Sequence, residues 1–269
     1  MFLVVIIWKV IIEPRIFLNK IMKENKPYSS EYENDIVSRK YFANLALRHL
    51  DLIRLHGESG HLPSLKNMSP EQLVDNIQHT GQKDWSNVVR HCLAEAGAAD
   101  ALGHLLSLPE EDKENLIQAA ILHDFDKKLE IENIRGQSGK ITQASEKFKL
   151  VSKETLHKKG IKPEIIEIID SVGDTDIMRK ENITLLQKVM FYIDNITEGT
   201  NLVNVKVKRD GLLKRYPKLA EESGFLDKWV SSTEEVQKEL AEKIGLANPE
   251  ELPNYILQKV KELATKFSV

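Results

Sequence analysis

Four residues carry the types and order that metal chemistry needs: His91, then the neighbours His123 and Asp124, then Asp194. Imidazole and carboxylate donors suit borderline to hard divalent cations. His123 and Asp124 follow an apolar run, Leu116, Ile117, Ala119, Ala120, Ile121 and Leu122, with no spacer. An imidazole and a carboxylate at the end of a buried segment are costly unless something pairs with them, and a bound cation satisfies both. Adjacent side chains reach one ion where a helix ends, because the terminal turn lets them converge. An exposed His-Asp turn is the alternative for the dipeptide alone, so further donors must come from elsewhere in the chain.

Two segments supply them. From Asp84 to Leu106, apolar residues recur at Val88, Val89, Cys92, Leu93, Ala96 and Ala99 with a helical period, and His91 sits at the border of that stripe. From Thr184 to Thr200, Leu186, Met190, Ile193 and Thr197 share a face, with Asp194 beside it. Asp is rarely buried unless paired, so a carboxylate there is unusual.

The order His91, His123-Asp124, Asp194, each on its own expected helix, resembles the HD domain superfamily of metal-dependent phosphohydrolases, whose pattern is H…HD…D. The HD pair of that family often continues as an HDIGK-like string; here it reads His123, Asp124, Phe125, Asp126, Lys127, with Asp126 where the family has Gly. The resemblance covers about Ser86 to Tyr216. It implies an all-α fold, one divalent metal ion held by His91, His123, Asp124 and Asp194, and hydrolysis of a phosphate ester such as a nucleotide. Mn, Mg, Co, Ni, Fe and Zn all remain open as the metal. Asp124 would both ligate and orient water, Lys127 would neutralise phosphate charge, and Asp126 would act as general acid or base, a role its departure from the family's Gly leaves least supported. Relatives with a second metal carry extra histidines between the HD pair and the last Asp. Only His157 lies in that interval, and it ends in a Lys158-Lys159-Gly160 tail, so one metal is expected.

The elements around these residues read as helices. At 269 residues, with 41% hydrophobic and 29% charged, the chain can bury a substantial core and is ordinary for a soluble protein. A net charge of -3 gives no global pull toward nucleic acid or anionic membrane, and the resemblance implies a small phosphorylated substrate as the partner. The one cysteine, Cys92, excludes an intramolecular disulfide and fits a reducing, cytoplasmic setting. Cys92 itself reads as a small buried hydrophobe, since adjacent helix positions diverge by about 100°.

Residues 1–28 stand apart. Their apolar run is interrupted by Lys9, Glu13, Pro14 and Arg15, short of the about 20 residues a membrane-spanning helix needs. They read as a poorly integrated tail, with Met22 as an alternative start. Residues 29–269 read as a single helical domain with an HD-like core over about 84–216. Helices are expected from Ser29 to the break at Gly57–Pro63, from Ser69 to Gly81, from Pro109 into the HD pair, and over Thr142–Lys158 and Pro163–Val172. A mobile loop is expected over Glu130–Lys140, and His49, His56, His61 and His79 read as surface or boundary residues. The basic run Lys206–Lys218 offers Arg209 and Arg215 as bidentate phosphate binders and Lys206 or Lys208 as point charges, with a solvated face as the alternative. Two C-terminal helices within 225–267 pack either on the bundle or on a second copy. The rival functions are a nucleotide-sensing module without turnover and a helical interaction scaffold.

Overall fold

The computed structural model describes residues 39–60, 69, 72, 85–135, 141–173, 176–221 and 224–266. The tail 1–28, His61, His79 and most of the expected Ser69–Gly81 helix lie outside them, although Ser69 and Gln72 exchange backbone-to-side-chain hydrogen bonds of a helix start. Among the described residues the fold is all-α: α1 Arg39–Arg48, α2 Leu50–Glu58, α3 Ser86–Leu105, α4 Glu110–Leu122, α5 Lys127–Arg135, α6 Ile141–Lys158, α7 Pro163–Asp170, α8 Leu185–Ile196, α9 Val205–Arg215, α10 Phe225–Lys243 and α11 Leu252–Thr265. One short antiparallel pair, β1 Thr197–Glu198 and β2 Asn201–Leu202, interrupts them. No helix among the described residues is long and apolar enough to cross a membrane.

The bundle is built on α3. Its sequence from Cys92 to Gly103 is rich in Ala and Gly, and Ala94, Ala96, Ala98, Ala99 and Ala101 are all fully buried. A helix buried on every side is a core helix rather than an amphipathic surface one. Small side chains let its neighbours approach closely: α4 makes the most extensive contact, and α11, α1 and α8 cover other faces. At Gly103 a Cβ would stand 2.7 Å from Cγ of Lys113, so the glycine admits the lysine stem from α4. The C-terminal helices therefore pack on the bundle, α11 on α3 and α10 on α8.

Local chemistry sets the ends of the helices that matter most. Pro109 caps α4, and Glu110, Glu111 and Asp112 in its first turn complement the helix dipole. Thr184 caps α8 in a full capping box with Gln187, worth about 1 kcal/mol. Two expectations are corrected here. Residues 130–135 of the expected loop belong to helix α5, which lies against α6; 136–140 lie outside the described residues. His49 and His56 are buried rather than at the surface, at 7% and 0% exposure.

His56 is buried for a structural reason. Its Nε2 donates to the carbonyl of Ile121 at 2.7 Å, and Ser59 Oγ donates to the carbonyl of Phe125. Together they fasten the end of α2 to the turn that follows α4. Burial pushes the His56 imidazole down from 6.5 to about 4, the bond to Ile121 opposing. The unfolded chain takes up a proton near 6.5 that the folded chain refuses until about 4. Stability should therefore decline as pH falls through that window, by about 3 kcal/mol from this group, and be unaffected by it above. Urea unfolding at pH 7.5 and pH 4.5 is expected to show the decline, and His56→Gln, which keeps a donor for Ile121, to remove most of it; an undiminished decline in the variant would assign acid sensitivity to other groups.

Candidate metal centre

Three helices deliver the site. α3 contributes His91 and, one turn later on the same face, Glu95. The end of α4 contributes His123, its C-cap, and then Asp124. The last turn of α8 contributes Asp194. One donor atom each from His91, Glu95, His123 and Asp194 lie within 4.8 Å of one another.

Glu95 stands between the histidines, its Oε1 3.0 Å from Nε2 of His91 and its Oε2 3.3 Å from Nε2 of His123. Nε2 of His123 is also 3.6 Å from Asp124 and 4.0 Å from Asp194. The two rings meet edge to face, with centroids 5.6 Å apart. Asp124 lies beside this group, and its other oxygen is 3.3 Å from the ammonium of Lys127, which also pairs with Glu130 at 2.8 Å.

The hydrogen-bond pattern shows what the donors are arranged for. Nδ1 of His91 bonds the carbonyl of Gly199 at 2.8 Å, and Nδ1 of His123 bonds the carbonyl of Ala120 at 2.9 Å. A carbonyl only accepts, so each Nδ1 carries the proton, and in the neutral rings each Nε2 presents a lone pair to the cluster. This is how proteins orient a ligating histidine. Nε2 of His123 and both oxygens of Glu95 are buried with no hydrogen-bond partner. Buried groups of this kind are normally satisfied. A divalent cation among them supplies the missing partner to all, so the residues present fit a metal.

Charge within the site is adjusted by two lysines. Burial opposes ionisation of Asp124, yet Lys127, His123 and His91 outweigh it and hold its carboxyl well below the usual carboxylate range. For Asp194 burial is likewise overcome, here first by Lys208, so its carboxyl is also lowered. Lys208, only 7% exposed on α9, is 3.1 Å from Asp194 Oδ1 and also donates to the Asp194 carbonyl. Although burial disfavours the cation, Glu95 lifts His91 to about 9, so a proton competes with a metal at this ring.

The other expected site residues lie elsewhere in varying degree. Asp126 accepts from Ser152 on α6 at 2.7 Å, and burial raises its carboxyl to about 6 against that bond. Arg215 pairs with Glu198 at 2.6 Å, a contact that needs Gly211, where a Cβ would come 2.4 Å from the carboxylate. Arg209 lines a separate cavity with Leu213, Leu219 and Leu226. Neither arginine stands in the donor cluster; of the basic run, Lys208 does. Glu95 was not singled out in the sequence, although its spacing from His91, four residues along a helix, was there to be seen. Cys92 is fully buried, its sulfur no part of the donor group.

The HD domain family profile matches residues 88–199, from the first turn of α3 to the turn between β1 and β2. This stretch is similar in sequence to the HD domain family. It contains His91, Glu95, His123, Asp124 and Asp194, and its last residue is the Gly199 whose carbonyl orients His91. No curated protein and no solved structure matches the chain. Lys208, which braces Asp194, lies outside the matched stretch on α9.

A cation that binds the folded cluster and not the unfolded chain should raise the thermal midpoint with concentration, by the equivalent of about 2.7 kcal/mol at 100 times Kd. Thermal unfolding with Mn2+ or after EDTA should show this rise and its loss. His123→Ala and Asp194→Asn should abolish the response and Arg209→Ala, in its separate cavity, should retain it. A midpoint indifferent to both treatments would mean that protons alone balance the cluster.

Proposed function

We propose that the protein is a metal-dependent phosphohydrolase that cleaves a phosphate ester, with nucleotides the first class to test. The observation that carries this reading is the convergence of imidazole and carboxylate donors from three helices, with Nε2 of His123 and both oxygens of Glu95 buried and unsatisfied, within the stretch that matches the HD domain family. HD domains are mostly metal-dependent hydrolases. His91, His123, Asp124 and Asp194 would hold one divalent ion. When bound, it supplies Lewis-acid charge at a phosphoryl oxygen and lowers the pKa of a water.

The chain's own groups do the rest. Asp124, kept ionised by Lys127, accepts a hydrogen bond from the attacking water and so orients it. Lys127 has a third of its side-chain surface open and stands at the rim, where an ammonium offsets charge on the phosphoryl oxygens. Lys208 keeps Asp194 charged and fixed. Asp126, engaged by Ser152, is assigned to hold the turn against α6 rather than to move a proton. Arg215 serves the site at one remove, holding the hairpin that presents Gly199 to His91. Arg209 faces its own cavity, so neither guanidinium is assigned to the phosphate.

The test is metal analysis of the purified protein followed by a phosphate-release screen over nucleoside mono-, di- and triphosphates, cyclic nucleotides and sugar phosphates. Metal-dependent release is expected, and Asp124→Ala should lower it by at least about 100-fold. Release that survives both chelation and Asp124→Ala would reject the assignment. Tight nucleotide binding without product would replace it with a sensing role.

A further inference from the structure

We propose that Glu95 is itself a ligand of the cation, making the site an oxygen-rich cradle of two imidazoles and three carboxylates suited to six-coordinate ions such as Mn2+ or Fe2+ more than to four-coordinate Zn2+. This rests on the metal reading of the cluster given above and deepens it. Glu95 is fully buried, and apart from the two histidine Nε2 atoms its oxygens meet no hydrogen-bond donor among the described residues. Its carboxylate is the one group that faces Nε2 of both histidines, at 3.0 and 3.3 Å. Both Nδ1 atoms are committed to backbone carbonyls, so both Nε2 atoms are turned toward the Glu95 carboxylate, a place that a proton or a metal cation must occupy.

Charge leads to the same place. Asp124 is matched by Lys127 and Asp194 by Lys208, whereas no lysine or arginine pairs with Glu95 among the described residues. Glu95 therefore relies on the histidines or on what they bind. A carboxylate isolated in an alanine-rich helix core is strongly unfavourable unless a cation coordinates it. Asp124, by contrast, divides its oxygens between His123 and Lys127, which leaves Glu95 the less committed acid of the two. Four-coordinate zinc sites use three protein donors and a water, and carboxylate-rich sets suit octahedral ions; a further carboxylate adds more to the second kind.

The experiment titrates Mn2+ and Zn2+ separately into the full, metal-stripped chain by calorimetry, with Mn2+ binding checked by its paramagnetic resonance signal, for wild type and Glu95→Gln. One Mn2+ per chain is expected for wild type. Glu95→Gln should weaken Mn2+ at least tenfold and Zn2+ clearly less, so the ratio of the two affinities shifts; general damage to the site would weaken both alike. Equal losses, or none, overturn the ligand role and leave Glu95 a charge partner of the histidines, with the hydrolase reading intact. A wild-type chain that binds no divalent ion overturns both. If Glu95→Gln does not fold, Glu95→Asp replaces it: a withdrawn carboxylate should still lower Mn2+ affinity more than Zn2+ affinity, and unchanged affinities reject the proposal.

Discussion

Nothing in the structure matters more than the burial of Nε2 of His123 among the carboxylates of Glu95, Asp124 and Asp194. Each of these groups is expensive to desolvate, and each is brought in by a different constraint: one turn of α3, the end of α4, the end of α8. The helices can hold such groups together only because the packing around them is dense and small. Alanines on α3 and α4 bring the two backbones close, which places His91 and Glu95 opposite His123 instead of a side chain's length away. The core is thus part of the site's chemistry, since its tightness keeps Glu95 and His123 out of bulk solvent.

Around the donors lies a layer of contacts with no chemistry of their own. The carbonyls of Gly199 and Ala120 fix the ring orientations, Lys127 and Lys208 each neutralise one carboxylate, and His56 and Ser59 fasten the turn carrying the HD pair. Several of these come from outside the turn or helix that bears the ligand, and Lys208 and His56 come from outside the family match altogether. The segments flanking the matched stretch are therefore bracing for it. α11 against α3 and α9 against Asp194 do the same work from the C-terminal side.

Much of this was legible. The helices carrying His91 and Asp194 follow from period and from caps such as Thr184, and the apolar run before His123 places it at a helix end. Glu95 was harder to see because a glutamate in a helix is ordinarily a solvated residue, and only packing on all sides of α3 makes its position buried. A basic run shows charge but not direction: on α9 the lysine at 208 turns inward to Asp194 while Arg215 closes on Glu198. Gly136 and Gly139 suggest a loop over Glu130–Lys140, yet residues 130–135 continue the short helix α5, which lies against α6.

Sequence alone determined the helical class, the places where the main helices begin and end, and the order of the His and Asp residues, because capping, period and residue chemistry are local properties of the chain. Tertiary structure decided which acid faces the histidines, which lysine braces which carboxylate, and that the rings point their Nε2 atoms inward. Those choices depend on distances of three to four ångströms between residues 4 to 108 positions apart, set by how closely α3, α4 and α8 pack.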